Sequence, residues 1–122
     1  MAKNYIQPGE VIDWTNATGG TKTSGSVIAL GQTLGVALVD IANGATGSVQ
    51  ISGVFEVPKV SAAVIANGES LVWDVSAGAF DDNLATPAAG DISGPPAVAV
   101  EAAGNGVTLF NVRFTGVPGT KT

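Results

Sequence analysis

The sequence predicts an all-β fold, a small β-barrel or compact sandwich, and three features carry that expectation. Short runs rich in Val, Ile, Phe and Thr recur at the spacing typical of sandwiches and barrels. Turn-forming residues separate them, above all Gly at 17 of 122 residues, with Asn, Asp and Pro. Helix signals are nearly absent.

Taken in order, the strand runs are 11–14, 26–30, 34–39, 47–53, 54–57, 70–74, 97–101 and 107–115. The first ends on Trp14 and the sixth includes Trp73. Side chains alternate across a strand, so in the last run Val107, Leu109, Asn111, Arg113 and Thr115 share one face. Phe110, Val112 and Phe114 fall on the other, the predicted core face. Asn43-Gly44, Asn67-Gly68 and Asn105-Gly106 supply the positive φ that tight hairpins need. One helical turn is expected over 61–66, where Ala and Ile cluster.

The chain also repeats itself. The run from Gly35 to Gly44 followed by 48–54 is echoed by 97–101, Gly104-Asn-Gly106 and 110–117, each copy reading strand, acidic residue, turn, strand, Gly-Val. Upstream of the copies, 26–30 matches 70–74, with Ser26 against Ser70. Two similar three-strand units would close into a small barrel about a pseudo-twofold axis, since closure removes exposed strand edges. The expected organisation is an N-terminal arm over 1–10, one β domain over 11–117 with a long loop at 75–96, and a C-terminal tail at 118–122.

Composition excludes much chemistry. The chain has no Cys and no His, which removes disulfides, thiolate nucleophiles, the usual general base and the commonest metal ligands. Hydrophobic residues make up 45% and charged residues 12%, enough apolar surface for a core and against disorder. The formal net charge is -5, and the basic residues Lys3, Lys22, Lys59, Arg113 and Lys121 are scattered singly, so nucleic acid is not an expected partner. The N-terminus shows no apolar h-region, and no apolar stretch approaches the ~20 residues of a spanning helix. A soluble protein made in a cytoplasm, with no membrane partner, is expected.

Candidate sites reduce to a few. The segment 17–23 looks like a phosphate loop, but Thr21 separates Gly20 from Lys22 and a strand follows where the P-loop needs a helix. Asp74, Asp81, Asp82 and Asp91 could gather near one loop as ligands for a hard cation or as an acid/base pair, without EF-hand spacing. A solvated acidic loop is the plainer reading, and no metal or cofactor is expected. Asn16-Ala17-Thr18 is formally a glycosylation sequon, a chance match without secretion. Trp14 and Trp73 fit core or rim packing better than sugar platforms. Tyr5 and Ile6 stand out as apolar groups on an otherwise polar arm, suited to packing on the domain itself or on a partner.

Read as an ordered set, several blocks resemble the tailed-phage capsid cement (decoration) family. They are Met1-Ala-Lys-Asn-Tyr-Ile-Gln-Pro-Gly9, Leu34-Gly-Val-Ala-Leu-Val-Asp40, Gly53-Val-Phe-Glu-Val-Pro-Lys59, Asn67-Gly-Glu-Ser-Leu-Val-Trp-Asp74, Val98-Ala-Val-Glu-Ala-Ala103 and a closing Val-Arg-Phe. Members sometimes carry a RecA/RadA-like recombinase label, which this sequence does not support: it has no P-loop, no basic face and too short a chain for an ATPase core. The departures are the longer 75–96 loop and Ser93-Gly-Pro-Pro96.

The resemblance implies a non-enzymatic protein that binds the outer surface of a phage head and staples its subunits, with the major capsid protein and its own copies, as a homotrimer, for partners. It implies synthesis in the host bacterial cytoplasm and a final place on the virion. The partner-binding residues expected on this basis are Lys3, Asn4, Tyr5, Ile6, Gln7 and Pro8 of the arm, with Phe80, Asp81 and Asp82 of the long loop. A β-rich adhesion or carbohydrate-binding module using Trp14 or Trp73 is the alternative. A small hydrolase using Asp81, Asp82 or Glu69 is a third.

Overall fold

A computed structural model describes residues 9–122. The described residues form ten strands: β1 (Val11–Thr15), β2 (Val27–Leu30), β3 (Thr33–Ala37), β4 (Thr46–Gln50), β5 (Ser52–Pro58), β6 (Ser70–Asp74), β7 (Ala79–Asp81), β8 (Ile92–Ala99), β9 (Leu109–Thr115) and β10 (Thr120–Lys121). Two antiparallel sheets result. The first has the order β1-β4-β3-β2, and the second β5-β9-β8-β6-β7 with β10 added on β8. The all-β expectation holds as a compact sandwich.

The barrel expectation does not. Each three-strand unit, β2-β3-β4 and β6-β8-β9, gains its own fourth strand, β1 on β4 and β5 on β9, so pairing is consumed within each half rather than between halves. The second sheet curls until Lys59 meets Phe80 in an isolated parallel bridge, one contact short of a ladder.

The repeat read from the sequence is present in the hydrogen bonds. Lys22 and Ile41 exchange backbone bonds of 2.9 and 2.7 Å, and Ile65 and Ala103 do the same at 2.8 and 2.9 Å. Gly25 N–H donates to Ala37 and Gly68 N–H to Ala99, both at 2.8 Å. Asn16 N–H donates to Ala45 at 2.9 Å, and Lys59 N–H to Thr108 at 2.8 Å. The ladder also corrects the register of the repeat: Val27 pairs with Val36 as Ser70 pairs with Val98, so Ser70 matches Val27 rather than Ser26. Gly44, Gly68 and Gly106 take the predicted positive φ, at 84°, 87° and 92°, but the Asn before each does not, and none of the three pairs closes a two-residue hairpin.

Three local expectations change. The 75–96 segment is not loop throughout, because β7 lies inside it and β8 begins at Ile92, where Val72 and Trp73 find partners in Ser93 and Ile92. Pro95 and Pro96, which cannot donate to a ladder, fall where the register of β6 against β8 shifts. Within the 118–122 tail, Thr120 and Lys121 pair with Ser93 and Ile92. The 61–66 segment forms a turn, closed by Ala63 N–H on the Val60 carbonyl, and Ile65 joins a β-bridge instead of a helix.

Each sheet curls around its own cluster. Ile28, Ala37, Ile41 and Val49, with Trp14, Leu30 and Ile51 beside them, fill the first; Val57, Leu71, Trp73, Phe80, Ile92, Phe110, Val112 and Phe114 dominate the second. Leu34 and Val36 of β3 belong to the second cluster and tie the halves together. The core face predicted for β9 is correct: Phe110, Val112 and Phe114 are all buried.

Candidate partner-binding surface

Two buried polar side chains shape the loops that leave β1 and β5. Asn16 is fully buried, its Nδ2 donating to the Gly20 and Ile41 carbonyls at 2.8 Å and its Oδ1 accepting Thr18 N–H and Oγ1–H at 2.9 and 2.6 Å. So bonded, the side-chain amide of the Asn16 sequon is not exposed to solvent. Lys59 takes the equivalent place in the second half. Its ammonium donates to the carbonyls of Val60 at 2.7 Å, Ser61 at 3.2 Å and Ala63. Burial pulls its pKa below the ordinary lysine value, and Asp81 opposes that shift. A lysine on a strand end reads as a solvated charge in sequence, so its clamping role was not foreseen.

The loop that Lys59 holds carries Val64, 62% exposed. It faces the turn after β7, where Leu84 is 88% exposed. With Asp81, Asp82 and Ala85 these two residues line a shallow hollow of about 390 Å³. Asp81 Oδ1 accepts the Asp82 N–H and Asp82 Oδ1 accepts the Leu84 N–H, so the carboxylates stiffen the turn that presents Leu84. An apolar pair rimmed by acid groups is what a protein-binding surface offers.

The other predicted residues are distributed differently. Phe80 is completely buried against Trp73, ring centroids 4.9 Å apart, so its side chain belongs to the core and not to a contact surface. Lys3, Asn4, Tyr5, Ile6, Gln7 and Pro8 lie outside the described residues. The four aspartates do not converge. Asp74 caps Ser76 and Ala77, and Asp91, itself buried, caps Val75 and Ala88. The Ser76 hydroxyl, then the Ala77 N–H, holds the Asp74 carboxyl below the usual carboxylate range, against a smaller opposing effect of burial. Among the described residues no three acidic groups stand together as metal ligands. Glu69 Oε2 accepts the Ala66 N–H. Trp73 is 7% exposed and Trp14 half-buried, and the two line one hollow of about 210 Å³ beside β2.

A rigid β scaffold that spends its carboxylates on turns and presents an apolar pair at one tip suits binding better than chemistry. The family model described as phage cement protein matches residues 6–114. The chain belongs to the phage cement protein family. Membership gives it a structural role on a phage capsid, makes enzymatic activity an unneeded assumption, and places it on the virion. No curated protein matches the chain. No described helix is long and apolar enough to cross a membrane. In this cement protein the family match starts at Ile6, within the arm, and ends at Phe114, so it spans both halves of the repeat.

Proposed function

We propose that the protein binds the outer surface of an assembled phage head, bridges neighbouring copies of the major capsid protein, and does so as a homotrimer made in the host cytoplasm. The observation that carries this is the family match over both halves of the repeat. The Val64 and Leu84 tip, with Asp81 and Asp82 at its rim, is the part of the described surface suited to a capsid contact. The arm over 1–10 is the second contact, on the capsid or on a neighbouring subunit. Three linked tips multiply a weak single contact into a long-lived one.

The test mixes purified protein with undecorated heads and follows co-sedimentation. Wild type is expected to bind, and Val64→Asp with Leu84→Asp, both on exposed positions, to weaken binding by at least tenfold (about 1.4 kcal/mol) while the far-UV circular dichroism stays the same. A wild-type protein that ignores heads overturns the whole reading. Unchanged binding by the double variant removes the tip from it.

A further inference from the structure

The internal repeat makes one part of the first half conspicuous. In the second half, β7 covers the outer edge of β6, with Phe80 opposite Trp73. The Phe80 carbonyl accepts the Val60 N–H at 2.9 Å, and the Lys59 bridge brings β7 parallel to β5. Phe80 thereby seals the cluster, and Val57 and Trp73 beneath it are buried.

The corresponding positions in the first half are Leu30 for Trp73, Trp14 for Val57, Asn16 for Lys59 and Ala17 for Val60. No described strand covers the outer edge of β2, the last strand of its sheet. Leu30 and Trp14 are each left half-buried, and Ala17 N–H makes no backbone bond of the kind Val60 makes. A cavity of about 210 Å³ lies beside it, lined by Trp14, Val27, Ile28 and Ala29 of the first half and by Trp73, Val75 and Gly78 of the second, with Thr18 and Lys22 on its rim. The first half is one strand and one aromatic side chain short of the second.

We propose that the N-terminal arm of a second copy of this chain adds to β2 as that strand, with Tyr5 in the place that Phe80 holds. Asn4-Tyr5-Ile6 has the pattern of Ala79-Phe80-Asp81, one central aromatic that alternation turns inward. The hydroxyl of tyrosine suits a cavity with Thr18 and Lys22 on its rim. The donor must be another copy because of chain length. The added strand runs antiparallel to β2 and parallel to β1, as β7 runs to β6 and β5. A strand that leads directly into its own parallel neighbour needs a crossover of about a dozen residues. Only residues 6–10 separate Tyr5 from β1. Head-to-tail donation of this kind closes into a ring when the rotation allows. The inference deepens the self-association part of the proposed function and rests on that part alone.

The chain has no Cys, so the pairing can be tested by engineered disulfides. Tyr5→Cys and Leu30→Cys single variants, refolded together and oxidised, should give a covalent dimer, since directly opposed strand residues have the Cβ separation a disulfide accepts. Tyr5→Cys with Val54→Cys, on the exposed face of β5, should not. Removal of residues 1–8 should reduce the solution mass to that of a single chain with its β circular dichroism retained, and a peptide of residues 1–9 should bind the truncated protein and slow amide exchange at Ala29, whose N–H faces the open edge of β2. Equal crosslinking in both pairs, or a truncated protein that keeps the full chain's oligomeric mass, overturns the proposal. Head binding is scored separately: heads ignored by a protein that still crosslinks 5 to 30 defeats the capsid reading and leaves this one standing.

Discussion

Replacing Phe80 with alanine tests how the second half is held together. The ring is fully buried and lies edge-on to three others, with centroids at 4.9 Å from Trp73, 6.0 Å from Phe114 and 6.3 Å from Phe110. About 150 Å² of buried ring surface at about 25 cal/mol per Å² gives about 4 kcal/mol. Each edge-to-face pair adds some 0.5–1.5 kcal/mol beyond area, offset in part where the cavity collapses. The expected loss is about 5 kcal/mol, the upper end for a buried Phe→Ala change, and large against a total domain stability of about 5–15 kcal/mol. Urea unfolding followed by Trp fluorescence is the assay, because Trp73 touches the altered site. Phe80→Leu, which refills most of the volume, should lose less than about 2 kcal/mol. A Phe80→Ala loss below about 1 kcal/mol, with an unchanged denaturant slope, would mean that β7 is not the seal of this cluster.

Three further outcomes are expected. Phe110→Ala should cost about 3–5 kcal/mol and Leu109→Ser, one residue away on the exposed face, under about 0.5 kcal/mol, both by urea unfolding; the reverse order would show the faces of β9 to be inverted. Asn16→Ala should cost about 2–4 kcal/mol, since it strips a fully buried donor from two carbonyls and a buried acceptor from Thr18, and amide exchange should rise first at Thr18 and Ile41. Asp74 has a lowered folded pKa, so its contribution is present above the unfolded carboxylate value of about 3.9 and is lost as pH falls through the folded value. Wild type should accordingly exceed Asp74→Ala in urea midpoint at pH 7, and the gap should narrow below about pH 4. A gap independent of pH would leave the carboxylate without that role.

Much of this protein was legible in its sequence because local rules govern it. Period-two alternation in 107–115 places Phe110, Val112 and Phe114 inside wherever that strand pairs, and the Asn-Gly turns demand positive φ in any fold. The repeat was visible for the same reason, each copy having to solve the same local turns and faces. The blocks from Leu34 onward that resemble cement proteins lie along these strands and turns, and the family match covers them.

What the strands pair with is a non-local question, and there only the tertiary structure decides. Alternation and turn residues do not distinguish one closed barrel from two curled sheets, because both bury the same faces; the choice rests on β1 and β5 taking the edges of β4 and β9. The fate of Phe80 is similar, since Ala79-Phe80-Asp81 amid Gly and Asp reads as loop until β6 offers it a ladder. Lys59 is the sharpest case. Its charge marks it for solvent, and only three carbonyls of the following loop, gathered by the end of β5 and the bridge to β7, supply the acceptors that let it be buried.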